Sequence, residues 1–221
     1  MDFESYDPPS SLVVKEHKLT KSKFPFIDVH NHYGNMNNAD LSERVKFMDE
    51  MNMAVMVNLS GRGFRGGADH LAKSLDNIKS TYSSRFILFT NVDFSDIDNP
   101  DWSKRAVEQI EQDVKLGAKG LKIYKTLGIH QKDKNGNRVH VDDPRIDPVW
   151  AVCGKLGIPV LIHAADPKQF WDPIDNQNER WLELKLHEVL GSVGGYPVQH
   201  ALALKSFEEP PQDDYSLASQ F

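Results

Sequence analysis

Five short apolar runs recur along the chain, and polar, helically spaced segments separate them. The first run, Phe26-Ile27-Asp28-Val29-His30, has the length of a strand rather than of a helix. Asp40 then opens a helix, with Glu43 three residues on in the pattern of a capping box. Leu41, Val45 and Met48 fall near helical spacing and read as core packing. Ala54-Val55-Met56-Val57-Asn58-Leu59 is a nearly continuous apolar run, of the kind buried on both faces of a parallel sheet. Leu71, Leu75, Ile78 and Tyr82 give the second helix its stripe. Phe86 to Val92 is the third strand. The third helix covers about 101–116, with Val107, Ile110 and Val114 inward and Gly117 just past its end. Gly120 to Tyr124 is the fourth strand. The fourth helix has Asp143 as N-cap and Pro144 at its first position, and it ends at Gly157. Ile158 to His163 is the fifth strand, and a fifth helix over about 179–190 turns Leu182, Leu186 and Val189 inward.

This is one strand–helix unit about every thirty residues, the repeat that parallel strands with helical crossovers require. The fold class is α/β, either a barrel or a doubly wound sheet. Residues 1–25, with Pro8-Pro9 and the basic stretch from Lys15 to Lys23, read as a lead-in arm. Residues 26–191 carry the repeating units. Residues 192–221 read as an irregular, Pro-containing and acidic tail. Within the second segment, 128–145 is a polar excursion in which Asn135-Gly136 signals a tight turn, so a small hairpin flap is expected.

Composition narrows the classes of function. The 221 residues carry a net charge of -6 without a basic patch, which argues against nucleic acid as a partner. The single cysteine, Cys153, excludes an intrachain disulfide. No apolar run is long enough to span a membrane. The N-terminus has neither a basic n-region nor an apolar h-region, so no signal peptide is visible and the chain reads as cytoplasmic as written.

The candidate chemistry gathers at strand ends. Under strict alternation Asp28, His30 and His32 share one side of the first strand, while Ile27 and Val29 take the other and pack on a helix layer. Two imidazoles so spaced suit zinc, and also iron, nickel or copper. For an isolated pair of this kind the plainer reading, a polar strand end and a solvated loop residue, prevails. His163, at the end of the fifth strand, shifts the balance: in an eight-stranded barrel the first and fifth strands face each other, and all three histidines can reach one metal. The three-histidine reading therefore favours a barrel over a doubly wound sheet. On the fourth strand Leu121 and Ile123 face the helices, which leaves Lys122 and Tyr124 inward. A buried lysine needs a partner, and Asp28 or a substrate carboxylate is expected. The loop Gly61 to Gly67 carries Arg62 and Arg65, two candidate substrate contacts, although its spacing matches neither a P-loop nor a dinucleotide fingerprint.

Ile27-Asp28-Val29-His30-Asn31-His32 resembles the first-strand signature of the amidohydrolase superfamily, in particular its amidohydrolase-related branch of metal-dependent hydrolases. Gly120 to Lys125, Val141 to Arg145 and Pro159 to His163 are similar to the family's fourth strand, helix-4 entry and fifth strand. The resemblance covers about residues 10–190. It implies a (β/α)8 barrel, of which about five βα units are present, and a divalent metal, usually zinc, held here by His30, His32 and His163. It also implies hydrolysis of C–N or C–O bonds by a metal-activated water; some members of the branch decarboxylate instead. The family further expects a histidine on strand 6 and an aspartate on strand 8 that serves as base. Neither has a clear counterpart, although Tyr196 to His200 is a thin candidate for strand 6. Asp166, followed by Pro167, reads as a turn residue rather than as that base. The catalytic base is therefore unassigned, and a barrel truncated at the C-terminus is expected. The rival expectation is a non-catalytic barrel fragment that binds at most a metal or a partner. Such a sheet exposes two edges, which a second copy of the chain would cover. Weak metal retention, marginal solubility and little hydrolysis are the expectations for the chain as written.

Overall fold

The computed structural model describes residues 5, 7–9, 15, 20–63, 67–79, 82–164, 173 and 175–181. Arg65, Asp166, the strand-6 candidate at 196–200, the tail at 192–221 and all but the start of the fifth helix lie outside these residues. The chain divides into two compact units, one of residues 18–163 and one of residues 1–17 with 164–221.

The first unit is an α/β arrangement in which every strand pairs in parallel. Its elements in order are β1 (Phe26–Asn31), α1 (Leu41–Met51), β2 (Met53–Asn58), α2 (Ala68–Lys79), β3 (Phe86–Leu88), β4 (Thr90–Asn91), α3 (Trp102–Leu116), β5 (Leu121–Ile123), α4 (Asp147–Leu156) and β6 (Val160–Ile162). They form two three-stranded sheets, β1-β2-β3 and β4-β5-β6. The third apolar run supplies both β3 and β4. Phe89 lies between them: its N–H donates to Asn58 O on one side, and the N–H of Thr90 then donates to Gly120 O on the other. One run of sequence thus ends one sheet and begins the next. Gly120 is required there, because a Cβ at that position would run into the Phe89 ring.

Alternation along the strands separates two faces. Met56, Phe86 and Leu88 join Leu41, Met48, Leu71, Leu75 and Ile78 in a core beneath α1 and α2. Leu121 and Ile123 join Ile110, Val149, Val152 and Cys153 in a second core beneath α3 and α4. Cys153 is a free thiol, 1 % exposed, and burial pushes its pKa up to about 11. On the opposite face Val57, Leu59 and Phe89 form a smaller cluster with Ile87 and Leu161.

Three expectations need correction. Ile27 and Val29 do not pack on helices; they remain 55 % and 59 % exposed. The register sets Ile27 beside Val55 and Asp28 beside Met56, whose side chain belongs to the helix-side core. Ile27 therefore lies on the face away from the helices. Second, α1 is capped by Asp40 as expected, but its carboxylate accepts from the N–H of Ser42 at 2.9 Å rather than forming a reciprocal box with Glu43. Third, α4 starts at Asp147, not at Pro144. The sequence repeats the Asp-Pro signal at 143–144 and 147–148, and the helix uses the second pair. The first pair makes a turn, in which Asp143 accepts from the N–H and guanidinium of Arg145. The flap exists in reduced form: Lys132 and Arg138 make a single antiparallel bridge around Gly136, whose φ of 83° suits a tight turn.

In the second unit the described residues form a local turn. Asp7 N–H donates to Asn176 O at 3.2 Å. Asn178, 3 % exposed, donates to Pro173 O and accepts from the N–H of Arg180.

Candidate functional site

A bulge aims the first strand at the site. The β1–β2 ladder shifts register between Asp28 and Asn31, and a bulged strand no longer alternates strictly. Asp28 is therefore not held to one face with His30 and His32. Its carboxylate turns back on its own strand, where it accepts from the N–H of His30 and from the side-chain amide of Asn31, both at 3.0 Å. The two histidine rings meet edge to face, with centroids 5.3 Å apart.

A chain of hydroxyls anchors His32. Its Nδ1 lies 2.8 Å from Ser60 Oγ, and Ser60 Oγ lies 2.9 Å from Tyr124 Oη. The Tyr124 ring also stands 5.8 Å from that of His32. Ser60 is fully buried just after β2, and its N–H is fixed by Asn58 Oδ1. Burial raises the pKa of Tyr124 despite its hydrogen bonds, so it stays a neutral phenol. Sequence reasoning placed Tyr124 inward without a role and missed Ser60; the one signal for Ser60 is its place directly after a buried strand and before Gly61.

The electrostatics favour neutral imidazoles. His32 is lowered to about 4, first by desolvation and then by His30, Lys122 and His163. Desolvation also lowers His30, with Lys122 and His163 adding to the effect and Asp28 opposing it. Lys122 and His163 are thus both felt electrostatically at the pair. The N–H of His163 donates to Ile123 O, which ties the end of β6 to β5.

Lys122 lies inward, as the alternation predicts. It is 1 % exposed, and Asp28 does not pair with it. Among the described residues its Nζ has no hydrogen-bond partner. Desolvation lowers its pKa to about 8, so at neutral pH it is a buried ammonium with no counter-charge paired to it among the described residues.

Arg62 has a different task from the one expected. Its Nη1 donates to both carboxylate oxygens of Asp113, at 2.8 and 2.7 Å, and only 13 % of its side chain is exposed. Asp113, 2 % exposed on the inner side of α3, also accepts from Thr90 Oγ1. Arg62 thus moors the loop after β2 to α3 rather than offering its guanidinium to a ligand.

The donor set fits a divalent cation in part. Unprotonated imidazole is the ligating form, and a hydroxyl on Nδ1 is the kind of outer contact that orients a ligating ring. Among the described residues, however, no group of three or more His, Cys, Asp or Glu side chains stands close enough together to hold an ion. His30 and His32 form a pair, and among the described residues no third ligand is in place beside them.

Residues 92–201 match the model of the Amidohydrolase family, a stretch that contains Lys122, Tyr124 and His163 and begins after His30 and His32. No curated protein matches the chain. Among solved structures, 2,6-dihydroxybenzoate decarboxylase from Rhizobium is similar at 19% identity and a TM-score of 0.48, over 81% of this chain and 60% of that one. A complex of 2,6-dihydroxybenzoate decarboxylase with 2,6-dihydroxybenzoate aligns at 17% identity and 0.46, over 65% and 50%. 5-Carboxyvanillate decarboxylase from Novosphingobium aromaticivorans, with bound manganese, aligns at 20% and 0.40, over 64% and 41%. The chain therefore spans about half the length of these structures. No helix among the described residues is long and apolar enough to cross a membrane. The family match carries the fourth and fifth strands of the sequence reading, and parallel βα units precede it, so it is over residues 92–201 that the chain is similar to the amidohydrolase family.

Proposed function

We propose that the chain serves a metal-dependent hydrolase of the amidohydrolase type, built on an incomplete (β/α)8 barrel and acting on a C–N or C–O bond of a small molecule. The observation that carries this reading is the His30–His32 pair, its rings edge to face, with His32 anchored through Ser60. His30 and His32 are the first two ligands, and His163, electrostatically coupled to both, is the third. A divalent cation, zinc by preference, would supply Lewis acidity and bring the pKa of a bound water from about 15.7 toward 7. Ser60 holds the His32 ring and fixes which nitrogen faces the cation. Tyr124 supports Ser60 and closes the polar wall. Val57, Leu59 and Phe89 form a dry patch on the same side of the sheets. Lys122 opposes a cation electrostatically, so the cation and an anionic ligand should assist each other.

The test is a zinc titration of the full chain by calorimetry, with His32→Ala and Ser60→Ala beside it. His32→Ala should abolish measurable binding. Ser60→Ala should weaken it by about 10–100-fold, the usual cost of losing an outer contact to a ligating ring. Zinc bound equally well by His32→Ala sinks the site. A panel of amides, esters and lactones then separates the readings. Turnover that depends on His32 supports the hydrolase; zinc bound through His32 without turnover on any of them favours the non-catalytic fragment.

A further inference from the structure

Both ring nitrogens of His70 meet oxygens that can only accept. Nδ1 lies 2.9 Å from Gly61 O, and Nε2 lies 2.8 Å from Gly34 O. A neutral imidazole has one N–H and one lone pair, and a lone pair cannot bond a carbonyl oxygen. Both contacts are hydrogen bonds only when the ring holds both hydrogens, as the imidazolium. The helix gives no reason for a charge there: His70 is the third residue of α2, where the helix end disfavours a cation. The charged and titratable side chains on the segments that meet the ring are His32 and Tyr33 before Gly34, Arg62 after Gly61, and Asp69 and Lys73 on α2. Arg62 is turned to Asp113. Among the described residues the one side chain in contact with a ring nitrogen is Ser74, whose Oγ lies 3.5 Å from Nδ1.

The two carbonyls belong to different loops, Gly34 to the one after β1 and Gly61 to the one after β2. The loop after β1 has other fastenings. Asn58 bonds the N–H and the carbonyl of Tyr33, and Asn77 Nδ2 donates to Met36 O and Ala39 O at 2.8 and 2.9 Å. Those ties are amides and do not titrate; the tie through His70 does. We propose that His70 is a proton-operated clasp that fastens the loop after β1 to the loop after β2. When the proton leaves, one of the two contacts sets lone pair against lone pair and opens. The geometry selects which one. The Ser74 hydroxyl can turn its hydrogen to Nδ1, whereas Nε2 has Gly34 O alone among the described residues. The neutral ring therefore keeps its hydrogen on Nε2, stays on Gly34 and lets Gly61 go. Gly61 is buried beside Ser60, so its carbonyl is left unsatisfied and the loop after β2 loosens. The stability supplied by the clasp is complete in acid and fades as the ring gives up its proton, histidine being the side chain whose charge changes between about pH 5 and 8. The clasp would work whether or not the neighbouring face binds a metal, so its failure leaves the hydrolase reading untouched.

The experiment uses the full chain labelled with nitrogen-15, with EDTA present, at pH 5.5 and pH 8.5. The His70 ring is assigned in the wild-type protein by its closeness to Gly63, whose added Cβ would stand 3.1 Å from Cδ2. At pH 5.5 both ring N–H protons should be visible, because hydrogen bonding slows their exchange; those of a solvated imidazolium exchange too fast to be seen. At pH 8.5 the ring should hold one hydrogen, on Nε2. Amide exchange then reads the loops. Gly61 N–H donates to Phe89 O and Gly63 N–H to Ser60 O, and the protection of both should fall about tenfold or more between the two pH values. Tyr33 N–H, held by Asn58, should keep its protection. In His70→Gln, shown to be folded by thermal unfolding, the fall at Gly61 and Gly63 should vanish. Ring protons unseen at pH 5.5, a ring hydrogen on Nδ1 at pH 8.5, equal protection of Gly61 and Gly63 at both pH values in the wild type, or the same fall in His70→Gln would each overturn the proposal.

Discussion

Asp113→Ala should destabilise the first unit by about 3–5 kcal/mol, the usual cost of removing one partner from a buried ion pair. The carboxylate is 2 % exposed and holds three groups at once: the Arg62 guanidinium, the Thr90 hydroxyl and, at 3.4 Å, the Gln109 amide. Its loss strands a largely buried guanidinium and a fully buried hydroxyl, and neither can turn to water without moving backbone. Arg62 is two residues from Ser60, so the loop that positions His32 should loosen too. Asp113→Asn keeps shape and some hydrogen bonding and should cost less. The double variant Arg62→Met with Asp113→Leu should recover much of the loss, because no charge is left buried. Urea unfolding of the four proteins checks this. An Asp113→Ala protein within about 0.5 kcal/mol of wild type, the range of ordinary surface substitutions, would show that the pair is incidental.

Lys122→Met should do the reverse and stabilise the ligand-free protein by about 1–3 kcal/mol at pH 7. The lysine pKa falls from 10.5 to about 8 through desolvation. That shift corresponds to about 3 kcal/mol at 1.36 kcal/mol per unit, an upper figure. The sign follows from proton counting. Between pH 8 and 10.5 the unfolded chain holds a proton that the folded chain has released. Stability from this group therefore rises with pH across the window, and the penalty is complete below it. Methionine keeps the length and removes the charge, so the variant should be more stable at pH 7 and lack the alkaline rise. Urea unfolding at pH 7 and pH 9.5 in a buffer without carboxylates reads both effects. Equal stability at pH 7 together with the same rise would show that some other group is responsible.

The strands were legible in the sequence because each is an apolar run bounded by helix caps and turns, signals that are local. Lys122 was legible for the same reason: Leu121 and Ile123 commit their sides to the helices and leave one direction for the residue between. Its lack of a carboxylate partner was not legible, because the bulge that turns Asp28 away comes from pairing β1 with β2. The register that sets Ile27 beside Val55 and Asp28 beside Met56, also a product of that pairing, is what took Ile27 off the helix side. The Arg62–Asp113 pair joins positions 51 residues apart. Only one local sign pointed to it, an acid at position 113, three residues after the inward Ile110. The Gly-rich loop suggested ligand binding because arginine and glycine patterns do not distinguish an anion in solution from one on a neighbouring helix. At 143–148 two equivalent Asp-Pro pairs competed, and the choice between them is made by how α4 packs on α3, with Ile146 and Val149 fully buried.

The single cysteine makes the chain its own stopwatch. With its pKa near 11, Cys153 is about a thousandth thiolate at pH 8, and only the thiolate reacts with an alkylating reagent. The folded protein should therefore ignore iodoacetamide until α4 lifts from α3, when the sulfur meets water and reverts toward an ordinary thiol. No other thiol competes, so a mass increase of one adduct counts opening events of that helix pair alone. When reclosing outruns alkylation, the labelling rate reports the free energy of the opening; at high reagent concentration it reports the opening rate. Asp113 lies on α3, so its variants should change the labelling rate if mooring the loop and seating the helix pair are one cooperative event, and leave it unaltered if they are two.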